Sequence, residues 1–408
     1  MRENRGKQES RPISCACRFP PIIILKHTVK PEKKIKDFFK EEELTMHVKL
    51  FIGIIAAATI MVHAQEAPLG TVSEKNKDEQ KALDALKGKI EGKIVWSTSR
   101  ASSKHDIWIM NADGTDQKAL TISPNNVDWF PRFSPNGATV IFVRSKMGWV
   151  PESDADIFDK WDIWAIGVDG GGEKKLAENA CWGAWRPGGD SIVFARGPKV
   201  FIKCLAKGDE KEIFDVEKQF KKKTYAQQPE LSPDGKLLAI TLRGTTRETG
   251  IWNFEKKEWY STGGGCEMDW FPSGRKVYRM NEGQGNGGTE ILQIDLDNDG
   301  KPVHKISGLS VPKELKFMDL PGRRSHEYFP KVDQTGQWLV WCATQYGHEH
   351  DIYDYEVYLW KLGADQKSAV RLTFHTANDR WPDLYLGQPK QAAPATEAVK
   401  DTAKMPMK

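Results

Sequence analysis

No stretch of this 408-residue chain sustains a 3.6-residue apolar repeat, which argues against an α-rich fold. The longest apolar run, residues 50–62, is too short to cross a bilayer comfortably as a helix. Cysteine is sparse. Cys15 and Cys17 lie near the start, and Cys181, Cys204, Cys266 and Cys342 are spaced to fit no metal pattern and to propose no pairing. Charge of one sign is also missing. The net charge of +4 comes from 11 Lys/Arg against 7 Asp/Glu before residue 46, with Lys49 adding one more, so residues 65–408 sum to −1. A body so near neutrality offers nucleic acid no basic stripe. G-x-S-x-G, P-loop, dinucleotide-binding, C-x-x-C-H and H-E-x-x-H patterns are all absent, which leaves no motif for a nucleophile elbow, phosphate cradle, haem attachment or zinc-peptidase helix.

Residues 46–65, MHVKLFIGIIAAATIMVHAQ, have Lys49, an apolar core and Val62-His63-Ala64 at the usual cleavage positions. That layout predicts a signal peptide over 46–64, and hence a periplasmic or secreted protein with no transmembrane span. A buried core helix is the alternative. No Cys follows Ala64, so a lipid anchor is not expected. Residues 1–45 read as an upstream extension outside the fold. A linker with one helix, DEQKALDALKG, fills 65–90, and an Ala-, Pro- and Lys-rich tail, 387–408, reads as disordered.

A repeat occupies the rest. PRFSPNG at 131–137 returns as PELSPDG at 229–235, with weaker copies RPGG, FPSG and PKVDQTG. The turn glycines Gly137, Gly189, Gly235, Gly274 and Gly336 are 52, 46, 39 and 62 residues apart. Such periods, each holding several short strands, are the signature of propeller blades. An inner strand A ends in the S-P-D/N-G turn. A β-branched strand B follows (ATVIFVRS, KLLAITLR), then strand C (HDIWIM, WDIWAI, YEVYLW), a turn such as NADG, and strand D. The first unit lacks strand A and the last, WPDLYL, has nothing else. The expected fold is therefore an all-β, six-bladed β-propeller over 91–386, closed by the C-terminal strand and preceded by the signal peptide and short helical linker.

The runs PRFSPNGATVIFVRS, WDIWAIGVDGGGEKKL and HDIWIMNADGTDQKALT closely resemble the repeat of TolB-like propellers, the WD40-like (PD40) family of bacterial exported proteins. The resemblance implies the propeller fold and a place in the bacterial envelope. One departure stands out. Only residues 65–90 precede the first blade, where TolB carries an α/β domain, so membership of the Tol machinery does not follow.

With strand A innermost, the A–B and C–D turns share one face and the B–C and D–A loops the other. The first face reads as tight turns. On the second, the B–C loops of blade II (146–160) and blade VI (344–355) are swollen, as is the connection 308–329. Irregular loops on a rigid scaffold are where binding groups sit. Aligned inner strands place Asp128, Glu327 and Asp379 in one slot and Trp129, Tyr328 and Arg380 in the next. Together with Glu267, and with Trp149 as a stacking platform, they form the candidate ligand-binding set. Local ion pairing is the plainer reading of the acids. His326, His348, His350 and Asp351 are candidate ligands for a divalent metal ion, the one cofactor the sequence suggests, with a polar loop tip as the alternative. DLDNDG (295–300) reads as an ordinary turn, because Ile306 stands where a calcium loop needs Glu.

The expected function is an exported, non-catalytic, monomeric propeller that binds a protein or glycan through the B–C/D–A face. The second reading is a metal-dependent enzyme acting on acidic sugars, since some propellers of this superfamily resemble oligogalacturonate lyases. Arg380 and Arg324 would then neutralise substrate charge.

Overall fold

The computed structural model describes residues 71–389, except 102–103, 284 and 307–310. The upstream extension, the signal segment and the tail beyond residue 389 lie outside the described residues. Six four-stranded antiparallel sheets make up the fold, a six-bladed β-propeller. From blade I to blade VI the inner strands are Asp379–Leu386, Asp128–Phe133, Cys181–Trp185, Thr224–Leu231, Cys266–Trp270 and His326–Val332. In blade I the inner strand pairs with Gly92–Thr98, from Gly92 opposite Leu386 to Thr98 opposite Asp379. The sheet continues through Asp106–Asn111 to Lys118–Ala119. Among the described residues no helix is long and apolar enough to cross a membrane.

The repeated turn explains the repeated letters. Gly137, Gly189, Gly235, Gly274 and Gly336 all sit at φ between +66° and +73°. Each donates its N–H to the carbonyl three residues earlier, at 2.8–2.9 Å. That conformation favours glycine, and in three of the turns the Asx or Ser side chain just before it bonds the outgoing backbone. Asn136 and Asp234, for example, accept from the N–H groups of Ala138 and Lys236.

A second repeat lies on the inner strands. Phe130, Trp182, Gln228, Glu267, Phe329 and Trp381 occupy equivalent positions, one per blade, each at φ between +51° and +61°. At each, the register between inner strand and its neighbour shifts by a bulge. Left-handed non-glycine backbone costs on the order of 1 kcal/mol or more, and persists where packing over-determines it. Here the bulge turns large side chains onto the axis. Trp381 lies 4.1 Å from Phe329 and 5.0 Å from Phe130, and Trp182 lies 5.1 Å from Phe130 (ring centroids). Two residues further on, Arg132, Glu230, Asp269, Lys331 and Asp383 form a charged layer toward the tight-turn face. Lys331 Nζ reaches Glu230 Oε1 at 3.0 Å and also pairs with Asp269.

Two details differ from the sequence reading. The inner strand of blade I begins at Asp379, ahead of WPDLYL. Lys316–Met318 is the outer strand of blade V, hydrogen-bonded to Thr289–Asp295. The connection into blade VI is therefore short, and the long one is the C–D connection on the tight-turn face. KFM reads as loop because a three-residue strand is too short to show alternation. An open cleft of about 590 Å³ lies beside it, between blades V and VI, floored by Phe271, Phe317 and Trp360.

The helix Lys77–Leu86 is capped by a reciprocal pair, Asn76 and Glu79. Glu79 also reaches Arg371 of blade VI at 3.3 Å. The four described cysteines are unpaired, and burial pushes the thiols of Cys181, Cys266 and Cys342 well above their usual range.

Candidate functional site

The two swollen loops meet over the end of the propeller axis. Blades II and VI flank blade I, so their B–C loops converge above its inner strand. Glu152 enters from the blade II loop, in the short 3-10 turn Glu152–Asp154, and is 8% exposed. Its carboxylate accepts from His350 Nδ1 at 2.7 Å, Arg380 Nη1 at 2.9 Å and Trp381 Nε1 at 2.9 Å. Asp351 accepts from the Glu152 N–H at 2.9 Å and from Arg380 at 2.8 Å. Farther along the same loop, Asp156 accepts from Gln227 of blade IV at 2.8 Å. The loop thus spans the mouth and is fastened at opposite sides.

Burial works against the Glu152 carboxylate, but His350 and Arg380 together hold it below the ordinary carboxylate range. Burial likewise opposes the His350 cation, and Glu152 reverses the effect, lifting the imidazole above its usual value. The pair is hydrogen-bonded and shielded from water, the condition under which charge-assisted bonds are strongest.

The sequence-predicted residues fall into three groups. Arg380, His350 and Asp351 belong to this cluster. Tyr328 adjoins it, its ring 5.3 Å from His350 and its hydroxyl 3.5 Å from His348 Nδ1. A second group is buried below the mouth. Asp128 takes a two-bond clasp from Arg144, both at 2.7 Å. Asp379 is paired with Arg100 and bonded by Trp96 Nε1 at 3.1 Å. Glu327 accepts from the Leu320 N–H at 2.8 Å, and burial drives its carboxyl well above the usual range. Asp128, Glu327 and Asp379 are all 0% exposed, so none faces the mouth. Trp129 is also at 0%, edge-on to Trp182 at 4.8 Å. Glu267 occupies the left-handed position of blade V, where it accepts from the Phe329 N–H. The third group lies at the surface. Trp149 is 44% exposed, its ring 6.0 Å from His105. His348 stands 3.9 Å from Glu282, and His326 is half-buried beside Gly347.

For a metal, the four suggested ligands do not converge. Among the described residues no three His, Cys, Asp or Glu side chains are grouped to hold an ion. His350 Nδ1 and both carboxylate oxygens of Asp351 are engaged by Glu152 and Arg380. Glu152 is the residue that strand alignment misses. It lies in one of the two overgrown B–C loops, outside the repeat; the loop's excess length was its one visible signal.

These features define a six-bladed β-propeller whose mouth is covered by two interlocked loops. The chain is similar in fold to TolB. The structure of TolB from Acinetobacter baumannii superposes with a TM-score of 0.50 at 16% identity, over 75% of this chain and 69% of that one. A putative TolB from Agrobacterium tumefaciens aligns over 71% of this chain and 98% of its own, at 14% identity and a TM-score of 0.44. In sequence, an uncharacterized protein, Atu1656 of Agrobacterium fabrum (strain C58 / ATCC 33970), is 28% identical over 119 residues, 26% of this chain. The match spans 37% of that relative's length. No family model matches the chain.

Proposed function

We propose that this protein is an exported, non-catalytic propeller that docks a protein partner on its B–C/D–A loop face. The observation that carries this reading is the distribution of exposed apolar side chains. Ile122, Met147, Trp149, Ile157, Tyr346 and Ile352 are all large, apolar and exposed, and all stand on loops of that face. Val72, bridged to His375 in the connection into blade I, adds to them. Of the described residues in this class, Val303 alone belongs to the tight-turn face. Scattered exposed apolar residues need no explanation, but concentration on one face favours an interaction surface. Aliphatic Ile and Met favour protein over glycan, because sugars are held chiefly by aromatic platforms and hydrogen bonds.

Photo-cross-linking in cells tests the face directly. Met147→p-benzoylphenylalanine and Ile352→p-benzoylphenylalanine are expected to give discrete protein adducts, and Val303→p-benzoylphenylalanine none. Adducts from position 303 alone would place the partner on the other face. Trp149→Ala should weaken the captured complex about 30-fold, the effect of losing an aromatic anchor worth about 2 kcal/mol. Deleting the whole loop 146–160 is a poor substitute, because it would also uncover Arg380 and Trp381.

Export to the periplasm or beyond belongs to the same reading and rests on residues 46–64. The check is the N-terminus of protein recovered from the cell envelope or medium. It should begin at Gln65; a chain retaining residues 46–64 in the cytosol would end the export reading. Closure of the ring by the C-terminal strand, supported by the pairing of Gly92–Thr98 with Asp379–Leu386, gives the face its rigid base.

A further inference from the structure

The three donors that grip Glu152 are assembled without it. Arg380 and Trp381 lie on the inner strand of blade I, each 1% exposed. His350 stands on the blade VI loop, its backbone carbonyl bonded by Arg380 Nη1 at 2.8 Å and by Asn378 Nδ2. Glu152 comes from a different blade and enters this pocket as a ligand would. Its carboxylate does not exhaust the pocket. Arg380 Nε, His350 Nε2 and the Tyr355 hydroxyl are buried without a hydrogen-bond partner among the described residues.

Without Glu152, Arg380 keeps only Asp351 at 2.8 Å and the buried His350 Nδ1 loses its carboxylate partner, and leaving buried charge under-compensated is unfavourable, so this pocket is not readily left empty. Replacing one carboxylate by another is close to balanced. The position of Glu152 makes such an exchange accessible. Exposed Trp149 and Ile157 stand three residues before it and five after it, so a partner landing on them bears on the segment that holds it.

We propose that Arg380, Trp381 and His350 form a carboxylate-recognition site for an acidic side chain of the docked protein, and that Glu152 occupies it as the chain's own competing ligand. This rests on the docking role of the loop face and names the chemistry that face recognises. The unliganded protein is held closed by its own Glu152. A partner presenting Asp or Glu beside an apolar contact displaces it, whereas one presenting Asn or Gln does not.

Glu152→Ala creates the test, since it removes –CH2–COO⁻ and leaves the donors facing a space that takes the carboxylate end of a small acid such as propionate. Added propionate is expected to raise the thermal midpoint of this variant, and propionamide, equal in shape but uncharged, is not. The wild type and the double variant Glu152→Ala/Arg380→Met should respond to neither. The tripeptide acetyl-Gly-Glu-Gly-amide should bind Glu152→Ala at least about tenfold more tightly than wild type, because a tethered competitor acts at millimolar effective concentration. Its Gln counterpart should bind neither. Equal responses to propionate and propionamide would overturn the proposal, as would peptide affinity unchanged by removing Glu152. Should Glu152→Ala fail to fold, Glu152→Gln keeps the shape without the charge and carries the same comparisons. The propionate assay uses no partner, so its failure would leave cross-linking at position 147 standing. Loss of cross-linking alone would remove the partner while leaving the anion site.

Discussion

Trp381→Ala is expected to lower the unfolding free energy by about 3–5 kcal/mol, the range for truncating a fully buried aromatic side chain. The ring lies on the propeller axis, 1% exposed, and touches inner strands of several blades. Its centroid is 4.1 Å from Phe329, 5.0 Å from Phe130, 5.7 Å from Trp182 and 5.8 Å from Trp129. Removing it opens a cavity where blades I, II, III and VI meet, and bulged inner strands have little freedom to collapse into it. Trp381→Phe keeps most of the ring and loses the bond from Nε1 to Glu152; its cost should be about 1–2 kcal/mol. Trp149→Ala, on the exposed loop, should stay within about 0.5 kcal/mol of wild type. Urea titration of the three variants measures the order. A midpoint for Trp381→Ala equal to that of Trp149→Ala would mean that the axis is not a packed core.

The second large effect depends on pH. Burial pushes the Glu267 carboxyl up to about 7, with nearby Glu152 adding to the shift and His350 and the Phe329 N–H opposing it. In the unfolded chain the same group titrates near its ordinary value of 4.5. Below pH 4.5 both states hold the proton, and the folded state keeps its full advantage. As pH rises toward 7 the unfolded chain ionises first, so the folded state loses about 1.4 kcal/mol per pH unit. The total is about 3 kcal/mol, complete once the folded group has titrated. Glu267→Gln mimics the protonated form at every pH. Wild type should therefore match this variant near pH 4.5 and fall below it by about 3 kcal/mol at pH 8. Parallel stability curves across that range would show that Glu267 is ionised on folding. His350 acts in the same direction. Its raised value means that stability from the Glu152 pair is present in acid and is lost as pH climbs through the folded imidazole's titration.

Much of the candidate site's scaffold was legible. Aligning inner strands put Asp128, Glu327 and Asp379 in one slot and Trp129, Tyr328 and Arg380 in the next, and the structure keeps those equivalences. What alignment could not give was depth. Asp128 and Asp379 stand in the same ring position as mouth residues would, yet Arg144 and Arg100 close over them. Those arginines lie on strand B or just after it, and pairing across a strand is invisible until register is known. Glu267 looked like a mouth acid for the same reason. The left-handed bulge turns it inward to the axis.

The letters alone determined the blade count, the tight-turn face and the two overgrown loops, because each follows from local chemistry: glycine at positive φ, β-branched strands and chain length between them. Only the tertiary structure decided that the blade II loop crosses the mouth and lays Glu152 against His350, Arg380 and Trp381. That contact joins residues about 200 or more positions apart on three blades. No local preference encodes it; it exists because blade I packs between blades II and VI.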